Sequence, residues 1–246
     1  MFATLLEERR RSAGTEQPVV TDLCCSYGIN AALMNHDLDI DDLYERYCDP
    51  VVDAYTSEEL ARADLRYFEA HRKDTPAQVV GIDVAPNAVS YGVASGLLDE
   101  GASENLEQMP PSPGLSRAVA DTDIVTVTGG VGYVSEQTFS RLLEAVDTEP
   151  KPWVAAFALR WVDFEPVADA LAGAGLVTEH VEGAEVRQRR FADGAEREYV
   201  LDELRDRGID PSGLEESGWY FANLFVSRPW SEVRKRPAAA LLKEAV

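Results

Sequence analysis

Residues 22–28, DLCCSYG, gather a carboxylate, two thiols, two hydroxyls and a glycine. Adjacent cysteines cannot bridge each other without a strained ring, and the chain has only three cysteines, so a disulfide framework is excluded. No CxxC or Cys/His cluster supplies ligands, and no metal is expected. Cys24 and Cys25 are either sites of sulfur chemistry or small turn residues whose backbone holds a ligand. The apolar run before them reads as a strand and the segment from Ile29 as a helix. Small residues in such a turn let the backbone approach a ligand, and the free amides at the helix start are donors. The cysteines are therefore read as buried turn residues.

Further along, VVGIDVAPNAV places Asp83 at a strand end. A carboxylate there can accept two hydroxyls at once, or cap the helix that follows. Tyr133 follows the glycine run at 129–130, Arg160 and Trp161 close another strand, and Tyr27 lies in the first turn. All sit where a pocket above a sheet would find them. Tyr133, Tyr27 and His36 are the candidate proton-handling groups, although a lone histidine after a short helix also suits a structural role. Arg187, Arg189 and Arg190 form the densest positive cluster before the tail. They suit an acceptor carboxylate or phosphate, or else a solvated strand edge.

The elements that must position these groups alternate. Short β-branched runs (PVVTDL, AQVVGIDV, TDIVTVT, PWVAAFAL, GLVTEHV, WYFANLFV) are separated mostly by helical patterns. Thr56 and Glu59 have capping-box spacing at the head of a helix over 56–72. Phe139, Leu142, Leu143 and Val146 share one helical face, and Asp163 is the expected N-cap of a helix ended by glycines at 173 and 175. QMPPSPG at 108–114 reads as a loop. Alternation of this kind predicts a parallel sheet with helices on both faces, and the final run fits an antiparallel hairpin partner.

The chain of 246 residues, 45% apolar, reads as one domain over 1–246. A net charge of −21 argues against a nucleic-acid surface, and no apolar run is long enough to span a bilayer. At the N-terminus, charges directly follow a short apolar patch, the reverse of a secretory signal, and Phe2, Leu5 and Leu6 suggest an amphipathic helix. A cytoplasmic protein is expected, and a homodimer is left open.

In order and spacing, these motifs resemble the class I S-adenosylmethionine-dependent methyltransferases over roughly residues 15 to 229. The family's first loop is D-x-G-x-G-x-G. Asp22 matches its acid and Gly28 its last glycine, Cys24 and Ser26 replace the first two glycines, and Cys25 falls where the family often has cysteine. The resemblance assigns Asp83 to the cofactor ribose. It assigns Asn105 and Leu106, with Glu104 as an alternative, to the adenine, and Gly129 joins the cofactor set. It implies an α/β three-layer sandwich with a mostly parallel seven-stranded sheet and an antiparallel last strand. S-adenosyl-L-methionine is the implied cofactor, and the implied acceptor is a small molecule, anionic or not, methylated on O, N or C. On this reading Arg160, Trp161, Arg187, Arg189 and Arg190 face the acceptor.

Two departures matter. Asp22 and Asp83 stand about 60 residues apart where a simple βαβ unit expects about 20, so a helical insertion lies at about 37–76. A second excursion, about 183–217, interrupts the closing strand pair and is expected to act as a lid. The turn TGGVGYVSE lacks an Asn-Pro-Pro-Tyr motif, no Pro-Cys pair serves cytosine carbon-5, and no acid cluster marks a magnesium-dependent catechol site. Three alternatives remain. One is transfer or cyclisation of the aminobutyrate arm with release of methylthioadenosine. Another is an NADP-dependent oxidoreductase using Gly130-x-Gly132-x-x-Ser135, although the next strand ends without an acid for the ribose. The third is a non-catalytic binding module.

Overall fold

The computed structural model describes residues 1–243. Seven strands form one sheet. They are β1 (Val19–Leu23), β2 (Gln78–Ile82), β3 (Glu100–Ala102), β4 (Ile124–Thr128), β5 (Trp153–Leu159), β6 (Leu176–Arg190) and β7 (Trp219–Pro229). Their order is β3-β2-β1-β4-β5-β7-β6. The first five pair in parallel, and β7 runs antiparallel to both β5 and β6. Alternation along each strand builds two cores. Val20, Val79, Ile124, Ala155 and Leu224 face one side, while Leu23, Val80, Val125, Val154 and Ala156 face the other. On the first side pack α1 (Phe2–Ala13), α2 (Ile29–Asn35) and α5 (Pro86–Ala94), and on the second α6 (Pro113–Val119), α7 (Glu136–Ala145) and α8 (Glu165–Gly173). The three-layer sandwich expected from the sequence is the observed fold.

The 37–76 region holds α3 (Ile40–Cys48) and α4 (Ser57–His71). The Thr56–Glu59 capping box forms as read. Asp64, fully buried, fixes these helices, because its carboxylate accepts from the Arg46 guanidinium, from Tyr47 Oη at 2.7 Å and from Tyr91 Oη of α5 at 2.5 Å. A carboxylate without water needs this many donors to stay in the interior.

Two local expectations are corrected. The N-cap of α8 is Phe164, and Asp163 instead accepts from the Glu165 amide at 3.0 Å. The stretch read as a loop to 114 already begins α6, with Ser112 accepting from Leu115 N–H and Pro113 at the first helical position. The 183–217 excursion begins as strand. β6 continues to Arg190, paired with β7 across two register shifts, before α9 (Gly194–Asp206) leaves the sheet. After β7 come two short helices, α10 (Trp230–Val233) and α11 (Ala238–Leu242).

Candidate functional site

β2 and β3 lie to one side of β1, and β4 and the later strands to the other, so the chain reverses direction between β1 and β4. In an open α/β sheet that crevice, at the carboxyl ends of the strands, is where ligands bind. A cavity of about 550 Å³ opens there, a size suited to a small-molecule site.

Its floor is the turn after β1. Cys24 (φ 58°), Ser26 (φ 49°) and Gly28 (φ 88°) all lie in the left-handed region. These are the three positions of the D-x-G-x-G-x-G pattern, and only one of them is a glycine. Cys25 N–H donates to Ile82 O at 3.1 Å and Gly28 N–H to Cys25 O at 2.9 Å, which ties the turn to the end of β2. The side chains fit because two glycines elsewhere make room. A Cβ on Gly130 would stand 2.6 Å from Cys24 Sγ, and one on Gly81 would stand 2.8 Å from Cys25 Sγ. Burial, then the nearby charges of Asp83 and Asp22, push the Cys24 thiol up to about 12, and burial likewise raises Cys25. Neither is a thiolate near neutral pH, which removes the condition for sulfur nucleophilicity.

Asp83 anchors the second wall. One carboxylate oxygen accepts from Ser26 N–H at 3.0 Å and the other from Ala85 N–H at 2.9 Å. A carboxylate offers about four acceptor positions, so about two stay available toward the cavity. Beneath the turn, Asp22 is fully buried. Its Oδ1 accepts from Asn30 Nδ2 at 2.9 Å and from Thr126 Oγ1 at 2.7 Å, and among the described residues its Oδ2 has no partner. Burial raises its pKa to about 6, against the pull of those two hydrogen bonds.

The third wall is the segment after β3. Asn105 Oδ1 accepts from Glu107 N–H at 3.0 Å and so closes its own turn, while Glu104 holds Ser112 through N–H at 2.9 Å and Oγ at 2.6 Å. Leu106 is buried in the wall, its carbonyl accepts from Arg141, and among the described residues its N–H has no partner. Gly129 and Tyr133, from the turn after β4, complete the lining, with Tyr133 86% exposed at the mouth.

Thus Cys24, Ser26, Asp83, Asn105, Leu106, Gly129 and Tyr133 converge on one cavity, with Asp22 and Gly28 directly supporting its floor. Other candidates lie apart from it. Tyr27 is outside the lining, edge-on to Tyr91. His36 is 3% exposed, packed on Phe68 with Nδ1 at 3.0 Å from Ala32 O, and burial lowers its pKa. Arg160 and Trp161 line a different cavity, of about 480 Å³, at the end of β5. There Arg160 pairs with Glu215 at 2.5 Å and donates to Asp210 O at 2.9 Å. Arg187 and Arg190 lie over the Trp219 ring, and Arg189 lies over Tyr220 and pairs with Glu196 at 2.7 Å. All three are on β6, the sheet edge, with β7 and β5 between them and β4. Sequence reasoning missed Glu107, Thr128 and Thr138 in the cavity wall and Asn30 beside Asp22. Only Asn30 left a signal, as a polar residue in the first turn of a helix whose next four residues are apolar.

No family model matches the chain, and no curated protein matches it. Among solved structures it is similar to magnesium protoporphyrin IX methyltransferase from Synechocystis PCC 6803 with bound S-adenosylmethionine. That match has 12% identity and TM-score 0.42, and covers 92% of this chain and 78% of that one. It is also similar to the YcgJ protein of Bacillus subtilis, at 9% identity and TM-score 0.49 over 93% of this chain and 99% of that one. A third is the precorrin-6y C5,15-methyltransferase of Geobacter metallireducens, at 11% identity and TM-score 0.37 over 87% and 80%. These likenesses are distant. The chain is an α/β three-layer sandwich whose mostly parallel seven-stranded sheet closes with an antiparallel β7. The cavity lies at the carboxyl ends of β1, β2 and β4, and the end of β5 lines the separate cavity that holds Arg160 and Trp161.

Proposed function

We propose that this protein is an S-adenosylmethionine-dependent methyltransferase acting on a small molecule. The observation that carries the reading is the first turn. Three alternate residues adopt left-handed backbone there, two of them at an energetic cost, and the turn opens onto a cavity whose next wall is Asp83. Strain of this kind persists where the surroundings over-determine it, commonly at ligand clamps.

The residues present fit the cofactor. Asp83 has acceptor capacity left for the ribose hydroxyls, Leu106 N–H is an uncommitted donor for the adenine edge, and the Asn105 amide group flanks it. The backbone of 24–28 and Gly129 leave room for the methionine arm. When bound, the cofactor supplies an electrophilic methyl group on a sulfonium. The acidic walls at Asp83, Glu104 and Glu107 suit that positive charge. What the chain itself contributes is positioning, exclusion of water and, at the mouth, the Tyr133 hydroxyl as the candidate proton acceptor. At Arg160 and Arg189 an anionic acceptor would have to compete with Glu215 and Glu196, whereas Arg187 and Arg190 lie over the Trp219 ring.

The test is calorimetry with S-adenosylmethionine and S-adenosylhomocysteine. Micromolar affinity is expected, about −8 kcal/mol, with Asp83→Ala losing at least tenfold. Absence of binding by the wild-type protein would overturn the reading. Release of methylthioadenosine from S-adenosylmethionine alone would replace methyl transfer with chemistry on the aminobutyrate arm.

A further inference from the structure

Glu107 is two residues beyond Asn105, and its carboxylate does not serve its own loop. It accepts from Ser135 N–H at 2.7 Å, from Ser135 Oγ at 2.9 Å and from Thr138 Oγ1 at 2.5 Å. Ser135 is the N-cap of α7, and the turn at 129–134 that presents Tyr133 runs directly into it. One side chain therefore joins the wall that carries Asn105 and Leu106 to the turn that carries Tyr133. Arg141 of α7 adds a second tie at 2.6 Å, but to the Leu106 carbonyl, behind the cavity wall.

The internal geometry of the 104–109 segment is already set by Asn105, whose side chain and carbonyl take the amides of Glu107, Gln108 and Met109. What that turn cannot set is its own orientation relative to the sheet. Glu104 fixes one end to Ser112, the N-cap of α6, and Glu107 fixes the other to Thr138 and the N-cap of α7. Burial alone would raise the Glu107 pKa, but the hydrogen bonds from Thr138 and Ser135 outweigh it and hold the group below the usual carboxylate range. The clamp is thus ionised at neutral pH, and hydrogen bonds to a charged acceptor are about twice as strong as neutral ones.

We infer that Glu107 is a positioning residue that locks the adenine-side loop to the acceptor-side turn, so that adenosine recognition and the placement of Tyr133 depend on one carboxylate. The inference rests on the methyltransferase reading of the same cavity. Its consequence is coupling, because a ligand that steadies Leu106 also steadies the turn at 129–134.

The experiment compares the wild type with Glu107→Ala and Glu107→Gln, using 5′-methylthioadenosine and S-adenosylhomocysteine as probes. In Glu107→Ala both affinities should fall by about tenfold and by the same factor, since the loss lies at the adenosine end common to both ligands. Glu107→Gln should stay within about threefold. Its oxygen can still take the Ser135 amide and the Thr138 hydroxyl, and the Ser135 hydroxyl can rotate to accept. Hydrogen exchange of the 129–134 amides should slow on ligand binding in the wild type and not in Glu107→Ala. If Glu107→Ala does not fold, Ser135→Ala combined with Thr138→Val removes two donors and should weaken both ligands by about threefold to tenfold. Wild-type affinity in the alanine variant, or ligand-induced protection of 129–134 that survives it, overturns the inference while leaving the methyltransferase reading intact. Failure of the wild type to bind either nucleoside overturns that reading instead.

Discussion

Cys24 and Ser26 hold backbone conformations that cost an L-residue about 1–2 kcal/mol each and a glycine almost nothing. The compensation for Cys24 lies across the turn, where Gly130 leaves the space that the Cys24 side chain fills. Gly130→Ala should therefore destabilise the protein by about 1–3 kcal/mol through overpacking. In a Cys24→Gly background the new methyl group meets no sulfur, and the cost should fall by at least about 1 kcal/mol, a coupling typical of residues in contact. Urea denaturation of the two single variants and the double variant gives the cycle, and additive effects would dissolve the proposed compensation. At this scale much was legible. The type and spacing of Asp22, Cys24, Ser26 and Gly28 marked a tight turn between strand and helix, and Asp83 a strand end beside it, and both border the cavity. The arginines were not legible, because a guanidinium reads the same in sequence whether it meets a ligand or an internal carboxylate. Arg160 is answered by Glu215, 55 residues away, and no local pattern announces that pair.

That pair decides how the excursion sits at the level of elements. Glu215 is 1% exposed, and among the described residues its other oxygen has no hydrogen-bond partner, so Arg160 carries most of its compensation. Burial raises the Glu215 pKa even with the guanidinium beside it. Arg160→Leu alone should cost about 3–5 kcal/mol by leaving an uncompensated buried carboxylate, while adding Glu215→Leu should recover most of the loss. Denaturant midpoints check this, and equal destabilisation in the single and double variants would show that the pair holds α9 and its flanks by more than charge. The elements themselves were readable where a period or a cap was strong, as in α4 with its capping box and α7 with its apolar face. The missed α6 is instructive. Proline and glycine near its start suggested a loop, yet Ser112 followed by Pro113 is also a helix start, and Leu115 and Val119 are the buried face that decides between them. The continuation of β6 through residues 183–190 was hidden because an edge strand beside a bulge has no clean alternation.

For the whole molecule, the governing quantity is the net charge of −21. Order and alternation of elements were enough to reach the sheet and its antiparallel close, since both depend on which faces must be buried. Surface charge has no such bearing on topology and acts on stability instead. Ion pairs such as Arg205–Asp202 and Arg207–Glu203 are solvent-exposed, and pairs of that kind contribute about 0–1 kcal/mol each. Against them stands the mutual repulsion of an excess of carboxylates over the whole surface. Raising the salt weakens both, with the screening length falling from about 10 Å at 0.1 M to about 3 Å at 1 M. Repulsion acts over longer distances than the contact pairs and involves many more charges, so its loss should win. The melting temperature is therefore expected to rise between about 0.05 M and 1 M salt, and to rise equally in sodium and potassium chloride if screening is the cause. A flat or falling melting temperature would mean that the exposed ion pairs outweigh the repulsion. A rise confined to one cation would point to specific ion binding in place of screening.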